Sequence, residues 1–377
     1  MKAQQDKGAE FPDPPLQLKS YIPIGGPLTW VPVDGSEPNM RFVPGFDLQW
    51  YHKRVGVAFS ESWHTDAELR YRAVHSMKRF VNELFPAVRE FELHYNGDVE
   101  ESCATISGLH GVMLVSAVYG SQVLYRKDAW PDAFSKSTLS PGEIRALEPF
   151  RLESNPVVQN LFSQMNYLHE HYSIIHGYLN YQGILNIAFK LRGSDIFTDM
   201  IDDPEMTDNF FHHIAKTTRD LALMVQKRQR ESGFDVNLIG SSNCVMNMIS
   251  PQMYEDALLK YDEFLSQPFD YYAMHTCNWD ITPYIGALRK IPKIGYIDMG
   301  LDSDFAKVRE AFPLARRNIV ASPVIMHKPR QERSRIIDRV ACELAPCDIS
   351  MGSIDLSVAD EEIRWMNDYV MKHRVNC

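Results

Sequence analysis

Residues 271–280 have the sequence YYAMHTCNWD, in which an apolar run is followed directly by a histidine and a cysteine. If the run is a β-strand, the alternation of its side chains puts His275 and Cys277 on one face. Both residues then lie at the carboxyl end of the strand, where parallel α/β enzymes hold their active sites. An imidazole and a thiolate at this spacing suit a zinc ion. The stretch therefore predicts a strand of a parallel sheet that carries two ligands of a metal site.

Strand-like and helix-like segments alternate throughout the second half of the chain. The further predicted strands cover residues 173–180, 235–240, 293–298, 318–321 and 348–351. Alternation of this kind indicates parallel βα units. One or two earlier strands would bring the number to eight, so we predict an α/β fold of the (β/α)₈ TIM-barrel type. A doubly wound open sheet is the alternative, but no G-x-G-x-x-G motif follows any predicted strand.

The N-terminal part of the chain differs in character from the rest. Residues 1–19 are polar and are predicted to form a flexible arm, followed by a single barrel domain that spans residues 20–377. Residues 20–64, rich in proline, glycine and aromatic residues, are predicted to be a cap segment. This segment either packs as a structural cap or forms a lid whose tryptophans line a substrate pocket. A T-x-x-E capping box predicts that a helix opens at Thr65.

Composition excludes several classes of function. The chain has 377 residues, 45% of them hydrophobic, which is enough for a full core, and its formal net charge is −10. Because no block of basic residues is present, we predict no nucleic-acid partner and no anionic membrane partner. We find neither an apolar run of about 18 residues nor a signal-peptide pattern. The six scattered cysteines are expected to be thiols of a cytoplasmic protein.

The predicted metal pair needs further ligands, and polar residues at other predicted strand ends could supply them. Cys244 ends the neighbouring predicted strand, whereas Cys347 stands near the start of the last one. Both are candidates for the third ligand, and Asp298 is a candidate oxygen ligand. A buried thiol and a hydrogen-bonded histidine without any metal are the alternative interpretation of Cys277 and His275.

Four segments resemble the uroporphyrinogen decarboxylase superfamily, and within it the zinc-dependent corrinoid methyltransferases. They are residues 196–205 (IFTDMIDDPE), 249–254 (ISPQMY), 274–278 (MHTCN) and 282–285 (TPYI). The resemblance covers roughly residues 170–375 and implies an (α/β)₈ barrel. The H-x-C motif of those enzymes matches His275 and Cys277. Their later cysteine would stand near residues 351–354, which read MGSI here, so the third zinc ligand stays open between Cys244 and Cys347.

The resemblance implies a methyltransferase that moves a methyl group from a small methylated substrate, for example an aryl methyl ether, to a corrinoid protein. The implied cofactors are Zn²⁺, held by His275 and Cys277, and a methylcorrinoid supplied by the partner protein. Asp298 is expected to act with the metal pair. The residues expected to contact or orient the substrate are Trp63, His64, Asn180, Asn243 and Asp298.

Two other classes of function stay open. A metal-free decarboxylase or lyase of the same superfamily would keep its activity after chelation. The arginine-rich N-terminal signature of the true decarboxylases is absent, which disfavours a porphyrinogen substrate. A non-catalytic barrel that binds a partner protein would keep its function in His275→Ala and Cys277→Ser variants. The oligomeric state is also open, with a homodimer among the alternatives.

Overall fold

The computed structural model describes residues 39–87, 103–134, 138–236 and 238–372. The predicted arm and the first part of the predicted cap lie outside the described residues. In the described part of the chain, no helix is both long and apolar enough to cross a membrane. Cys342 is disulfide-bonded, so the expectation that all six cysteines are thiols is wrong for this residue. The cysteines that the structure shows as free are Cys103, Cys244, Cys277 and Cys347.

A parallel sheet of seven strands forms the centre of the molecule, and a two-stranded antiparallel hairpin lies apart from it. The described strands are β1 (Met40–Phe46), β2 (Gln122–Arg126), β3 (Ala129–Phe134), β4 (Tyr181–Gln182), β5 (Leu238–Ser242), β6 (Tyr271–His275), β7 (Ile294–Met299), β8 (Arg316–Val320) and β9 (Cys347–Ile354). In the main sheet, β4 to β9 lie side by side in chain order, and β1 pairs with β9. All seven strands are parallel, so their carboxyl ends share one edge.

The strand order brings the first and last strands of the sheet together. It contains no reversal of the kind that defines a doubly wound sheet. A bridge between Thr105 and His176 continues the parallel pairing before β4, with the Ile106 amide donating to the His176 carbonyl at 2.9 Å. Among the described residues no strand pairing joins the Thr105 segment to β1. The α/β class with a parallel sheet is therefore confirmed, while closure into a barrel is not shown.

Helices connect the strands along most of the chain. The described helices are α1 (Leu48–Val55), α2 (Glu61–Thr65), α3 (Ala67–Leu84), α4 (Leu114–Val118), α5 (Pro141–Arg145), α6 (Pro156–Tyr172), α7 (Ile184–Arg192), α8 (Asp195–Asp202), α9 (Pro204–Glu231), α10 (Pro251–Ala257), α11 (Leu259–Ser266), α12 (Ile285–Leu288), α13 (Phe305–Ala311), α14 (Arg330–Leu344) and α15 (Asp360–Lys372). The long α9 begins at two residues that favour the start of a helix. Asp203 accepts a hydrogen bond from the Met206 amide, and Pro204 takes the first helical position.

Three local predictions differ from the structure. The helix predicted to open at Thr65 begins at Ala67, because the Asp66 carboxylate caps it by accepting from the Leu69 amide at 3.0 Å. The strand predicted at residues 173–180 is reduced to the bridge at His176, and the two-residue β4 begins only after it, at Tyr181. Residues 40–46, assigned to the cap, instead form β1 of the main sheet.

The tryptophans of the predicted cap that the structure describes belong to the core. Trp50 is fully buried and stacks on Phe46, with ring centroids 4.1 Å apart. Trp63 is also fully buried and packs against Phe59 at 5.3 Å. Burial of these large rings contributes to the stability of the fold. They therefore act as packing residues in this structure, and the predicted substrate contact of Trp63 stays a prediction.

Candidate metal centre

Three potential metal ligands come together at the carboxyl edge of the sheet. The ligand atoms of Cys244, His275 and Cys277 all lie within 4.8 Å of one another, and the Cys277 Sγ is 3.2 Å from the His275 Nε2. All three residues are partly exposed. Two sulfurs and an imidazole nitrogen are a donor set compatible with zinc. Three protein ligands also leave a coordination position for water or substrate, as in catalytic zinc sites.

The pairing of β5 with β6 places Cys244 beside His275. The parallel register aligns Ser242, the last residue of β5, with His275, the last residue of β6. One residue later, the Asn243 amide donates to the His275 carbonyl at 2.7 Å. Cys244 follows immediately, so the hydrogen bonds of the sheet determine its distance from the histidine.

Cys277 reaches His275 in a different way from the one predicted. The strand ends at His275, and Cys277 lies in the following turn with a left-handed backbone, φ 62°. The expectation that both residues share one face of a strand is therefore wrong. They are neighbours because the chain reverses direction after Thr276, which brings the sulfur back to the imidazole.

Asp298 on β7 holds the imidazole in place. Its Oδ2 accepts a 2.5 Å hydrogen bond from the His275 Nδ1, and its Oδ1 accepts from the Thr276 amide at 2.6 Å. The Tyr296 hydroxyl also donates to Oδ2, at 3.1 Å. In the neutral ring, a proton held on Nδ1 leaves the Nε2 lone pair directed towards Cys277. Asp298 thus has the geometry of a carboxylate that orients a ligand, and its oxygens are not among the three clustered ligand atoms.

The electrostatic environment favours the protonated form of His275 and one thiolate shared between the two cysteines. Burial opposes protonation of His275, but the negative charge of Asp298 and then that of Cys277 raise its pKa well above the usual value. The hydrogen bond with Cys277 lowers the pKa of Cys244 to about 5, and the same hydrogen bond raises the pKa of Cys277. The two thiols therefore titrate as a pair in which one thiolate is strongly favoured. Thiolate is the form of cysteine that binds metal.

Cys347, the other candidate for the third ligand, lies at the opposite edge of the sheet. It is the first residue of β9 and pairs in register with Met40 and Arg317 near the amino ends of their strands. Its side chain is fully buried, and burial raises its pKa to about 12. Of the two competing cysteines, the structure brings only Cys244 to the pair.

The predicted substrate-orienting amides are engaged within the protein. The Asn180 Oδ1 accepts from the Ser242 hydroxyl at 2.8 Å. The Asn243 Nδ2 lies 3.1 Å from the Met274 Sδ and 3.4 Å from an oxygen of Asp262. Both amides are buried, and they stabilise the end of β5 from which Cys244 projects.

His64 lies in a second group of polar side chains that sequence reasoning missed. Its ring is 4.9 Å from that of Tyr125 and 6.1 Å from that of His110, measured between centroids. The signal that could have pointed to His110 is its place between two glycines, in the sequence GLHG at residues 108–111. A histidine that follows a strand in such a turn is well placed to be held inwards by the backbone.

Comparison with known proteins identifies the fold but not the activity or the substrate. No protein-family model and no curated protein matches the sequence. The structure is similar to that of a methyltransferase from Methanosarcina mazei, with a TM-score of 0.61 and 13% sequence identity. The similarity covers 92% of this chain and 94% of that chain. At this identity, the two proteins are shown to share a fold over nearly their whole length.

Proposed function

We propose that the chain is a zinc-dependent methyltransferase that moves a methyl group from a small methylated substrate, for example an aryl methyl ether, to a corrinoid protein. The observation that carries this proposal is the cluster of Cys244, His275 and Cys277 at the carboxyl edge of a parallel sheet. The resemblance of the H-x-C motif to corrinoid methyltransferases supports it. So does the fold shared with a methyltransferase.

The donor set suggests what the metal would contribute. Held by Cys244, His275 and Cys277, zinc would act as a Lewis acid that eases the departure of an ether oxygen or keeps a thiol ionised. The protein's own part is to position the ligands. Asp298 retains the proton on the His275 Nδ1 so that Nε2 faces the sulfurs, and the register of β5 against β6 places Cys244 beside the histidine.

Exposed apolar side chains near the same edge of the sheet support the proposal that a partner protein binds there. Met248, Val324 and Leu356 are exposed and stand in the segments that follow β5, β8 and β9. Exposed apolar residues of this kind are frequent where another protein binds. A corrinoid protein that docks over this edge would bring its methyl-carrying group to the metal centre.

We include barrel closure in the proposal. The sequential strand order and the β1–β9 pairing are those of a sheet that curls back on itself. The Thr105 segment would be the eighth strand, since it already pairs with His176 on one side. Closure would bring the carboxyl ends of all eight strands around one mouth.

Elemental analysis of four proteins tests the proposal. We expect about one zinc per chain in the wild type and in Cys347→Ser, and little or none in Cys244→Ser and Cys277→Ser. Cys347→Ser is the matched control, because it removes a buried thiol at the other edge of the sheet. A wild-type protein purified without chelator that contained no zinc would contradict the proposal, and an activity that survived chelation would favour the metal-free decarboxylase instead.

A further inference from the structure

A buried polar cluster that the proposed metal chemistry does not use lies around His64. We call it the His64–His110 cluster, and it consists of His64, Arg70, His110, Tyr125 and Gln164. The exposed fractions of His64, Arg70 and His110 are 0%, 1% and 4%. Polar groups buried to this extent are normally fully hydrogen-bonded, so any gaps in the hydrogen bonding of this cluster are informative.

Arg70 carries a buried positive charge that has no ion-pair partner in the part of the chain that the structure describes. Its Nε donates to the Thr105 carbonyl at 3.0 Å, and its Nη1 donates to the Gln164 side chain. Its Nη2 forms no hydrogen bond. The nearby Asp66 uses its carboxylate to cap α3. Because an unpaired buried charge is costly, a negative group placed against Nη2 would stabilise Arg70.

The imidazole of His64 presents a second unused donor. Its Nδ1 accepts a hydrogen bond from the His110 amide at 3.0 Å, so in the neutral ring the proton is on Nε2. That Nε2 is buried and forms no hydrogen bond with any residue that the structure describes. The backbone carbonyls of Gly108 and Phe59 lie close to the ring and act to raise its pKa, but burial outweighs them.

His110 adds a third buried nitrogen without a partner. Its Nδ1 lies 2.7 Å from the Tyr125 hydroxyl, and within the described ranges of the chain its Nε2 forms no hydrogen bond. The backbone of His110 is left-handed, φ 57°, between Gly108 at φ 86° and Gly111 at φ 57°. A non-glycine residue in this conformation is strained and persists only where the surroundings enforce it. The turn thus holds the imidazole inside the protein.

The cluster is tied to the main sheet through His110. His110 comes shortly after Thr105, which pairs in parallel with His176 next to β4, and the His110 amide donates to the His64 Nδ1. Tyr125, on the β2–β3 hairpin, is only half-buried, so the cluster approaches the surface there. These features place a donor-rich, acceptor-poor group where a small molecule bound beside Tyr125 could reach it.

We propose that the His64–His110 cluster binds the carboxylate group of the small-molecule substrate. Arg70 supplies the opposite charge, and the Nε2 nitrogens of His64 and His110 donate hydrogen bonds to the carboxylate oxygens. A carboxylate supplies the acceptors and the negative charge that these groups lack, which a neutral ligand does not. The identity of this molecule as the methylated substrate rests on the proposed function.

Direct binding measurements test the assignment without any catalytic assay. The probes are acetate and benzoate, each compared with its neutral amide, acetamide and benzamide, by calorimetry and by ¹⁵N NMR of the histidine rings. We expect the carboxylates to bind and to shift the Nε2 resonances of His64 and His110, and the amides to bind at least about tenfold more weakly. Equal binding of carboxylate and amide, or no carboxylate binding to the wild type, would overturn the proposal.

Variants locate the binding site. His110→Phe keeps an aromatic ring but removes both nitrogens, and Arg70→Lys moves the charge, so we expect each to weaken carboxylate binding roughly tenfold or more. His171→Gln, on an exposed helix face, is the control and should bind as the wild type does. Unchanged affinity in both cluster variants would refute the site. If a variant fails to fold, protection of the wild type against heat by benzoate but not benzamide supports the proposal, and equal protection contradicts it.

Two further comparisons separate this site from others. Inorganic phosphate that bound more tightly than either carboxylate would show a site for free phosphate and would overturn the assignment to a carboxylate. The zinc content of His110→Phe should equal that of the wild type, because the metal ligands are different residues. Carboxylate binding in a protein without zinc would support the cluster even if the proposed function failed.

Discussion

Cys277 holds a left-handed backbone conformation directly after β6, and its sulfur lies 3.2 Å from the His275 Nε2. For a residue with a Cβ atom this conformation costs roughly 1–2 kcal/mol. The turn places the sulfur next to the imidazole, whereas a continued strand would carry the chain straight on. Strain of this kind is characteristic of residues at functional sites.

A pair of substitutions measures this strain. Cys277→Gly and Cys277→Ala both remove the sulfur, but only alanine keeps the Cβ atom. In metal-free protein we expect Cys277→Gly to have the larger free energy of unfolding, by about 1 kcal/mol. Urea denaturation in the presence of chelator checks this, and equal stabilities would mean that the turn relaxes without cost.

The segment after β7 packs against the turn that carries Cys277. The Gly300 amide donates to the Trp279 carbonyl at 2.9 Å. A Cβ atom on Gly300 would lie 2.0 Å from the Asn278 carbonyl oxygen and 2.4 Å from its carbon. These are backbone atoms, which cannot move aside as a flexible side chain can. The glycine therefore permits the close approach of two elements that meet at the candidate metal centre.

Gly300→Ala should displace this turn. We expect a loss of about 2 kcal/mol in the free energy of unfolding, as for overpacking in a core, and zinc binding roughly tenfold weaker. Gly286→Ala in α12 is the matched control, because a Cβ atom there meets no heavy atom within 4 Å. Denaturation and competition with a chelator provide the two measurements. Wild-type zinc affinity in Gly300→Ala would show that Cys277 is not held by this contact.

Buried histidines make the stability of the whole molecule sensitive to acid. Burial, followed by the charges of His110 and Arg70, lowers the pKa of His64 to about 3. Burial and the charge of Arg70 lower the pKa of His110 to about 4. In the unfolded chain both would titrate near pH 6.5. Below that value the unfolded state binds more protons than the folded state. The two histidines therefore cost no stability above about pH 6.5, and the free energy of unfolding falls as the pH is lowered towards 4.

Removing one of these histidines should reduce the acid sensitivity. Between pH 7 and pH 5 we expect His110→Phe to lose about 2 kcal/mol less stability than the wild type, because it has one fewer proton to exclude. Urea denaturation at both pH values measures the difference, with His171→Gln as the control. An identical loss in His110→Phe and the wild type would mean that His110 is protonated in the folded protein.

Local patterns were sufficient to predict many elements. The strand predicted at residues 293–298 is β7 (Ile294–Met299), and the one predicted at residues 348–351 lies within β9 (Cys347–Ile354). Capping and apolar periodicity depend on residues within a few positions of one another, so they can be seen in the sequence. Thr65 shows the limit of such patterns, since the adjacent Asp66 offers a competing cap that the sequence pattern alone did not rank above it.

The sequence by itself determined the parallel α/β class and the H-x-C pair, because both depend on residue order over short distances. Only the tertiary structure decided between Cys244 and Cys347. That choice depends on the hydrogen-bond register of β5 against β6, which joins residues about 30 positions apart. Only the tertiary structure likewise shows that Arg70 and His110 are neighbours, because no local sequence pattern connects them. They meet because α3 packs over the Thr105 segment, and the cost of burying their unpaired polar atoms appears only once that packing is known.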